Sequence, residues 1–139
     1  MIILDTNVVS ELMRERPDDR VRAWLDGLPR LDLWITAVSI FELRFGIELH
    51  ATGRRRARLE DSVNQMLAAE FRGRILDFDD KAATAAAAFA AGQRRAGHSH
   101  EVRDTFIAGI VVSRDAGLAT RNVRHFRSLG LRIVDPWAA

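Results

Sequence analysis

Very short apolar runs alternate along this chain with longer segments of helical periodicity. Five such runs occur, at residues 1–4, 33–36, 75–76, 118–120 and 131–134. Short apolar runs that alternate with helices are typical of a parallel sheet covered by helices on both faces. The sequence therefore predicts an α/β fold with a central sheet of about five short parallel strands.

The helical segments are marked by residues that commonly start and stop helices. We predict helices at residues 6–13, from 18 to about 28, at 39–50, after Gly53, at 79–96, at 102–116 and around Phe126. Aspartate pairs at 18–19 and 79–80 suit helix starts, and Gly97 suits a helix stop. A length of 139 residues fits one domain, which we expect to span residues 1–139.

Composition removes several classes of function. There are no cysteines, which excludes a disulfide scaffold, a thiol nucleophile and a cysteine zinc site. The formal net charge is only +2, so the chain is not expected to wrap a long duplex by bulk attraction. No targeting segment or membrane span is visible, and we expect a soluble, cytoplasmic protein with no membrane partner.

Polar residues follow three of the predicted strands. Asp5, Thr6 and Asn7 follow the first run, Thr36, Ser39 and Glu42 follow the second, and Thr120, Arg121 and Asn122 follow a later one. Asp104 lies in the first turn of a predicted helix. Strand ends and helix starts share one edge of such a sheet, so Asp5, Glu42 and Asp104 are predicted to converge there.

Three carboxylates in one cleft repel one another. Two unit charges about 4 Å apart cost ~1 kcal/mol in water and ~4 kcal/mol at an effective dielectric near 20. A divalent cation relieves that repulsion, and a ligand set of oxygens alone suits Mg²⁺ or Mn²⁺. Each acid also has a purely structural interpretation: Asp5 as a helix N-cap, Ser39 and Glu42 as a capping box, and Asp104 as a partner of the helix dipole.

Taken together, these segments resemble a known family. Residues 2–7 (IILDTN), 38–43 (VSIFEL), Asp104 with 107–108 (IA), 118–122 (LATRN) and 134–137 (VDPW) are similar to the PIN domain, and in particular to VapC-type ribonuclease toxins. The resemblance implies a three-layer fold with a five-stranded parallel sheet. It also implies a Mg²⁺- or Mn²⁺-dependent endoribonuclease, a homodimer, RNA as substrate and a cognate antitoxin.

The resemblance also implies roles for individual residues. Asp5, Glu42 and Asp104 match the catalytic, metal-binding acids of the family, and Thr6, Asn7 and Thr120 match its supporting polar residues. Family members often carry a fourth acid either at the position of Asn122 or near His125. This chain has neither, so we expect Asn122 to bind metal weakly or through water.

Two surface features suggest partners. Arg121, Arg124 and Arg127 are spaced to line one face of a short helix, and Arg121 and Arg124 are our candidates for RNA phosphates, with a solvated arginine face as the alternative. The helix at 39–50 is apolar on more than one face. That excess predicts burial by a second copy or by an antitoxin helix, and the resemblance favours the antitoxin.

Two other functions compete with the nuclease. A haloacid-dehalogenase-like phosphohydrolase also begins with a strand and an aspartate, but it needs an acid two residues later, where this chain has Asn7. A PIN-fold module that binds RNA or an antitoxin and cuts weakly is the second alternative, because of Asn122.

Overall fold

The computed structural model describes residues 1–139 and confirms the α/β fold. Five strands form one sheet: β1 (Ile2–Leu4), β2 (Leu33–Thr36), β3 (Ile75–Leu76), β4 (Gly117–Ala119) and β5 (Ile133–Val134). Every pairing is parallel, and the strand order is β3-β2-β1-β4-β5. The first strand therefore lies at the centre of the sheet, between β2 and β4.

Seven helices cover the sheet, and a short 3-10 helix at Arg30–Asp32 precedes β2. They are α1 (Thr6–Leu12), α2 (Asp19–Asp26), α3 (Ala37–Glu48), α4 (Arg54–Ala69), α5 (Asp80–Arg95), α6 (Val102–Ser113) and α7 (Val123–Arg127). None of these helices is long and apolar enough to cross a membrane.

Two separate hydrophobic cores lie on opposite faces of the sheet, because neighbouring residues of a strand point in opposite directions. Ile3 and Leu118 pack into a core with α5, α6 and Phe126 of α7. Leu4 and Ala119, one residue later in each strand, pack into a core with α1, α2 and α4. The resulting three layers match the predicted architecture.

Several predicted boundaries were wrong by two or three residues. Helix α3 begins at Ala37 and not at residue 39, because the side chain of Thr36 accepts a hydrogen bond from the amide of Ser39 and caps the helix two residues earlier. Helix α6 ends at Ser113 and not at 116, because Asp115 adopts a positive φ of 49°. Gly97, with φ of 75°, follows the end of α5 as predicted.

Candidate active site

Asp5 is fixed at the carboxyl end of the central strand. Its backbone amide donates to the carbonyl of Ala119 at 2.9 Å, which continues the β1–β4 pairing by one residue. Its Oδ1 accepts from the amide of Thr6 at 2.8 Å, and its Oδ2 accepts from the Thr120 hydroxyl at 2.7 Å. Asp5 is therefore the N-cap of α1, and this structural role is compatible with its predicted role in a metal site.

The environment of Asp5 disfavours its charge. Burial raises the pKa of the carboxyl from 3.8 to about 6, against the lowering effect of hydrogen bonds from Thr120 and Thr6. The negative charges of Asp104 and Glu42 raise this pKa further. All of its hydrogen-bond donors are neutral groups: the Thr6 amide, the Thr120 hydroxyl and the Asn7 side-chain amide. Burying a carboxylate without a cationic partner is costly, and a bound metal ion would supply the missing positive charge.

Glu42 reaches the same edge from the second turn of α3. The Thr6 hydroxyl lies 2.9 Å from Glu42 Oε1 and 2.9 Å from Ser39 Oγ. Burial raises the pKa of Glu42 above its ordinary value, and the negative charges of Asp104 and Glu101 add to that rise against the opposing charge of Arg103. The capping-box interpretation of Ser39 and Glu42 is wrong, because Thr36 caps this helix and both residues lie inside it.

Asp104 approaches from the first turn of α6, as predicted. Its Oδ2 lies 3.1 Å from Nδ1 of His125, which stands on α7. The Asp104 side chain is 17% exposed and that of His125 is 57% exposed, so the imidazole separates the carboxylate from solvent on that side. Asp104 is thus held by a side chain that the sequence did not associate with it.

The supporting residues form one hydrogen-bonded unit around Asp5. The Asn7 side-chain amide donates to Asp5 Oδ2 at 3.3 Å and to Thr120 Oγ1 at 3.4 Å, and its carbonyl accepts from the amide of Arg121 at 3.2 Å. Asn7 therefore orients Asp5 and has no proton to exchange, which argues against a haloacid-dehalogenase-like reaction.

Asn122 stands at the edge of this unit. Its backbone amide donates to Thr120 Oγ1 at 3.0 Å, while its side chain is exposed and does not cap α7. One hydroxyl group therefore separates the backbone of Asn122 from Asp5. Its role as a weak metal ligand stays a prediction.

The predicted RNA-binding arginines are neighbours of residues that contact two of the acids: the Arg121 amide donates to Asn7, and Arg124 precedes His125. The Arg121 guanidinium stands 4.9 Å from the ring centre of Trp137, in a cation–π contact. Arg121, Arg124 and Arg127 line a common cavity of about 620 Å³, next to Asn122 and His125. These side chains are exposed, which leaves their guanidinium groups available to an anion.

The donor chemistry of the cluster fits Mg²⁺ or Mn²⁺. Asp5, Glu42 and Asp104 offer only oxygen atoms, and these are the ligands that both ions prefer. The three carboxylates influence one another's charge, yet no three Asp, Glu or His side chains of the chain lie close enough together to form a complete ligand set. The structure therefore shows three acids whose charges interact, but not a complete ligand set.

Sequence reasoning missed one contact and undervalued one residue. Ser39 was among the residues following the second strand, but its link to Thr6 depends on how α1 and α3 approach each other. His125 was noted only as a position where relatives carry an acid. Its pairing with Asp104, 21 residues earlier, depends on the packing of α7 against α6.

Comparisons with known proteins agree with this geometry. A model of the PIN domain matches residues 2–130. The chain is 35% identical to "VapC ribonuclease Y4jK" of Sinorhizobium fredii over 99% of this chain and 98% of the relative, and 34% identical to "Toxin FitB" of Neisseria gonorrhoeae over 99% of both. The crystal structure of FitAcB from Neisseria gonorrhoeae superimposes with a TM-score of 0.90 at 34% identity and covers 100% of both chains. The chain belongs to the PIN domain family.

Proposed function

We propose that this protein is a metal-dependent endoribonuclease and the toxin of a toxin–antitoxin pair. The family match and the relatives named as a VapC ribonuclease and as Toxin FitB support this function. The observation that carries it is the convergence of three carboxylates from three separate elements, around a buried aspartate that has no cationic partner. Such a cluster costs stability, and a divalent cation offsets that cost.

Asp5, Glu42 and Asp104 would hold Mg²⁺ or Mn²⁺, with Asn122 contributing weakly or through water. When bound, the cation supplies Lewis-acid activation of water and positive charge against a phosphodiester. The chain's own residues set the orientation of the ligands. Thr120 and Asn7 hold Asp5, and His125 holds Asp104.

Glu42 is our candidate for the proton acceptor. Its Oε1 accepts a hydrogen bond from the Thr6 hydroxyl, which leaves Oε2 available to the attacking water. Its raised pKa favours the uptake of a proton more than that of an ordinary glutamate does. The negative charges of the site repel RNA phosphates, and Arg121 and Arg124 would offset that repulsion by binding phosphate oxygens on either side of the cut.

Two apolar surfaces suit two protein partners. Phe41, Phe45 and Leu49 form an exposed stripe on α3, where the two phenyl rings stack with centres 5.8 Å apart. The resemblance favoured an antitoxin helix on this helix. A stripe on one helix can also pack against itself across a two-fold axis, so of the two expected partners we assign the stripe to a second copy in a homodimer. A separate groove of about 550 Å³ between α1, α2 and α4 is lined mainly by apolar residues, and its concave shape suits a helix of a cognate antitoxin.

A cleavage assay tests the function. Purified protein is incubated with total RNA in Mg²⁺, in Mn²⁺ and in chelator, and the new RNA ends are counted. We expect metal-dependent cleavage that falls ~100-fold or more in Asp5→Asn and Asp104→Asn, because each loses an electrostatic contact to the reaction centre. Asp61→Asn, an exposed acid on α4, is the matched control and should cleave like the wild type.

The binding module is the second candidate, and the exposed amide of Asn122 favours it. In that case the wild type would bind RNA or an antitoxin, and its weak cleavage would rise in Asn122→Asp. Equal cleavage by wild type, Asp5→Asn and Asp104→Asn would reject the nuclease.

A further inference from the structure

We propose that a polar cavity beside the catalytic carboxylates is a nucleobase subsite, which takes one unpaired base of the RNA strand next to the cleaved bond. The cavity has a volume of about 500 Å³ and lies between the end of α5, the loop that precedes α6, and α7. None of the residues that line it is hydrophobic. This inference rests on the proposed function, because it assigns the position of one nucleotide of that substrate.

The cavity is connected directly to the carboxylates. His125 is one of its walls, and the same imidazole contacts Asp104 at 3.1 Å. Arg124 and His125 also line the arginine cavity on the other side of α7. A strand whose phosphates follow those arginines would cross α7 beside Asp104, and a base turned away from them would enter the polar cavity.

Gln93, which lines both this cavity and a neighbouring, mainly apolar one, carries a group that lacks a hydrogen-bond partner. The Gln93 side-chain nitrogen donates to the Ser128 hydroxyl at 3.2 Å, while its Oε1 is buried and has no partner. If the oxygen and nitrogen of the side-chain amide exchange places, the nitrogen becomes the atom without a partner. One polar atom therefore stays unsatisfied in either orientation. Leaving such a group unpaired is costly, and a ligand that bonds to it after a small rotation of the side chain removes that cost.

The lining chemistry favours a base over other ligands. His98, His100 and His125 offer flat rings, on which unstacked RNA bases pack, and Gln93 offers the paired donor and acceptor that read a base edge. The absence of hydrophobic lining argues against a lipid or an apolar peptide.

Binding to four homopolymers tests the subsite without knowledge of the cleavage motif. Fluorescently labelled single-stranded decamers of adenosine, cytidine, guanosine and uridine are titrated into Asp5→Asn protein, and Kd is measured for each at one salt concentration. We expect the four Kd values to differ. In Asp5→Asn protein that also carries Gln93→Ala, the ratio of the weakest to the tightest Kd should fall about 5-fold or more. Such a fall is expected for the loss of a base-edge contact.

Three further variants make the result specific. Gln65→Ala, an exposed glutamine on α4, should leave the ratio unchanged. Arg124→Ala should weaken all four homopolymers by a similar factor, as expected for a phosphate contact. His98→Ala removes an exposed ring from the same cavity and should reduce the ratio as Gln93→Ala does.

Two outcomes would overturn the subsite. One is an equal loss of affinity for all four homopolymers in Gln93→Ala and His98→Ala, which would mean that the cavity contacts only the RNA backbone. The other is no change in either variant. Cleavage is measured separately on wild-type protein, so a protein that binds bases selectively but never cuts would reject the nuclease and retain the subsite.

Discussion

Asp5 makes two opposite contributions to the stability of the fold. Its hydrogen bonds with Thr6 and Thr120 join the start of α1 to the end of β4, which stabilises the fold. Its negative charge is buried beside two other acids, which destabilises the fold. A carboxyl whose pKa rises from 3.8 to about 6 is disfavoured in its charged form by roughly 3 kcal/mol. Without metal, the site is therefore a source of instability.

Replacing Asp5 by asparagine should stabilise the metal-free protein at pH 7. Because the folded-state pKa lies above the unfolded one, the folded protein holds its proton more tightly, and stability falls as pH rises from about 4 to about 6. Asparagine removes that penalty but loses one acceptor, so we expect a gain of ~1–2 kcal/mol at pH 7 and no gain near pH 4. Urea unfolding at both pH values measures the difference. A gain of equal size at both would show that charge is not its cause.

Replacing Asn122 by aspartate should strengthen Mn²⁺ binding. Its backbone already bonds to Thr120, which bonds to Asp5, so a carboxylate there adds a charge near the cluster. One added charge beside a divalent ion is worth ~2 kcal/mol at about 4 Å in water, or roughly a 30-fold lower Kd. Calorimetric titration of both forms at one pH and salt concentration provides the test. Unchanged affinity would place Asn122 outside the metal site and contradict its match to the fourth family position.

The candidate site could be predicted where it depends on strand ends, and not where it depends on helix packing. Asp5 and Thr120 follow strands that must lie side by side, so their approach follows from the parallel sheet. The contact between His125 and Asp104 joins two helix starts, whose separation depends on side chains deep in the core, such as Phe126. No local pattern in the sequence specifies that distance.

The same distinction applies to whole secondary-structure elements. All five apolar runs became strands because each forms part of one buried sheet, and periodicity predicts burial well. Helix ends depend on single hydrogen bonds and single backbone angles. The Thr36 hydroxyl caps α3 two residues before the predicted start, and the positive φ of Asp115 lies just after the end of α6, which is earlier than predicted. Apolar periodicity does not predict either feature.

Helices α5 and α6 pack unusually closely, and a glycine permits it. A Cβ atom placed on Gly109 of α6 would lie 2.4 Å from the carbonyl oxygen of Ala82 and 2.8 Å from the Cβ of Ala86. The alanine-rich sequence of α5 is thus explained by packing: small side chains on α5 face the one glycine of α6. This close contact fixes the middle of α6 against the start of α5.

Gly109→Ala should therefore destabilise the protein, by ~1–3 kcal/mol, because the two helix backbones must separate. Gly92→Ala on α5 is the control, since a Cβ there meets nothing within 4 Å. Alanine gives the unfolded chain less backbone entropy than glycine does, so the free energy of unfolding of that variant should rise by ~0.5–1 kcal/mol. Chemical denaturation of both compares the two changes directly. A neutral Gly109→Ala would mean that the helices can shift at little cost.

For the molecule as a whole, the carboxylate cluster links metal binding to stability. With a Kd near ~1 mM, ~10 mM Mg²⁺ adds about 1.4 kcal/mol to the free energy of unfolding, which corresponds to roughly 3–6 °C in melting temperature. We expect Glu42→Gln to lose most of that rise and Asp61→Asn to keep it. Thermal denaturation with and without Mg²⁺ measures both, and identical responses would count against a shared site.

The exposed stripe on α3 should determine the oligomeric state. Phe45→Asp introduces a charge into the stacked pair with Phe41 and should convert a dimer into a monomer. Leu31→Asp, which alters an even more exposed apolar residue away from α3, should leave the dimer intact. Sedimentation analysis at several concentrations distinguishes the two states. A wild-type protein that is monomeric at every concentration would contradict the assignment.

The central place of β1 also imposes an order on biosynthesis. The strand is translated first, yet one of its two neighbours is β4, and the Asp5 amide and carboxylate bond to Ala119 and Thr120. A nascent chain on the ribosome carries all three acids by residue 104 but cannot fix the first of them until residue 120 has been added and released. The candidate site of each molecule is therefore assembled only near the end of its own synthesis.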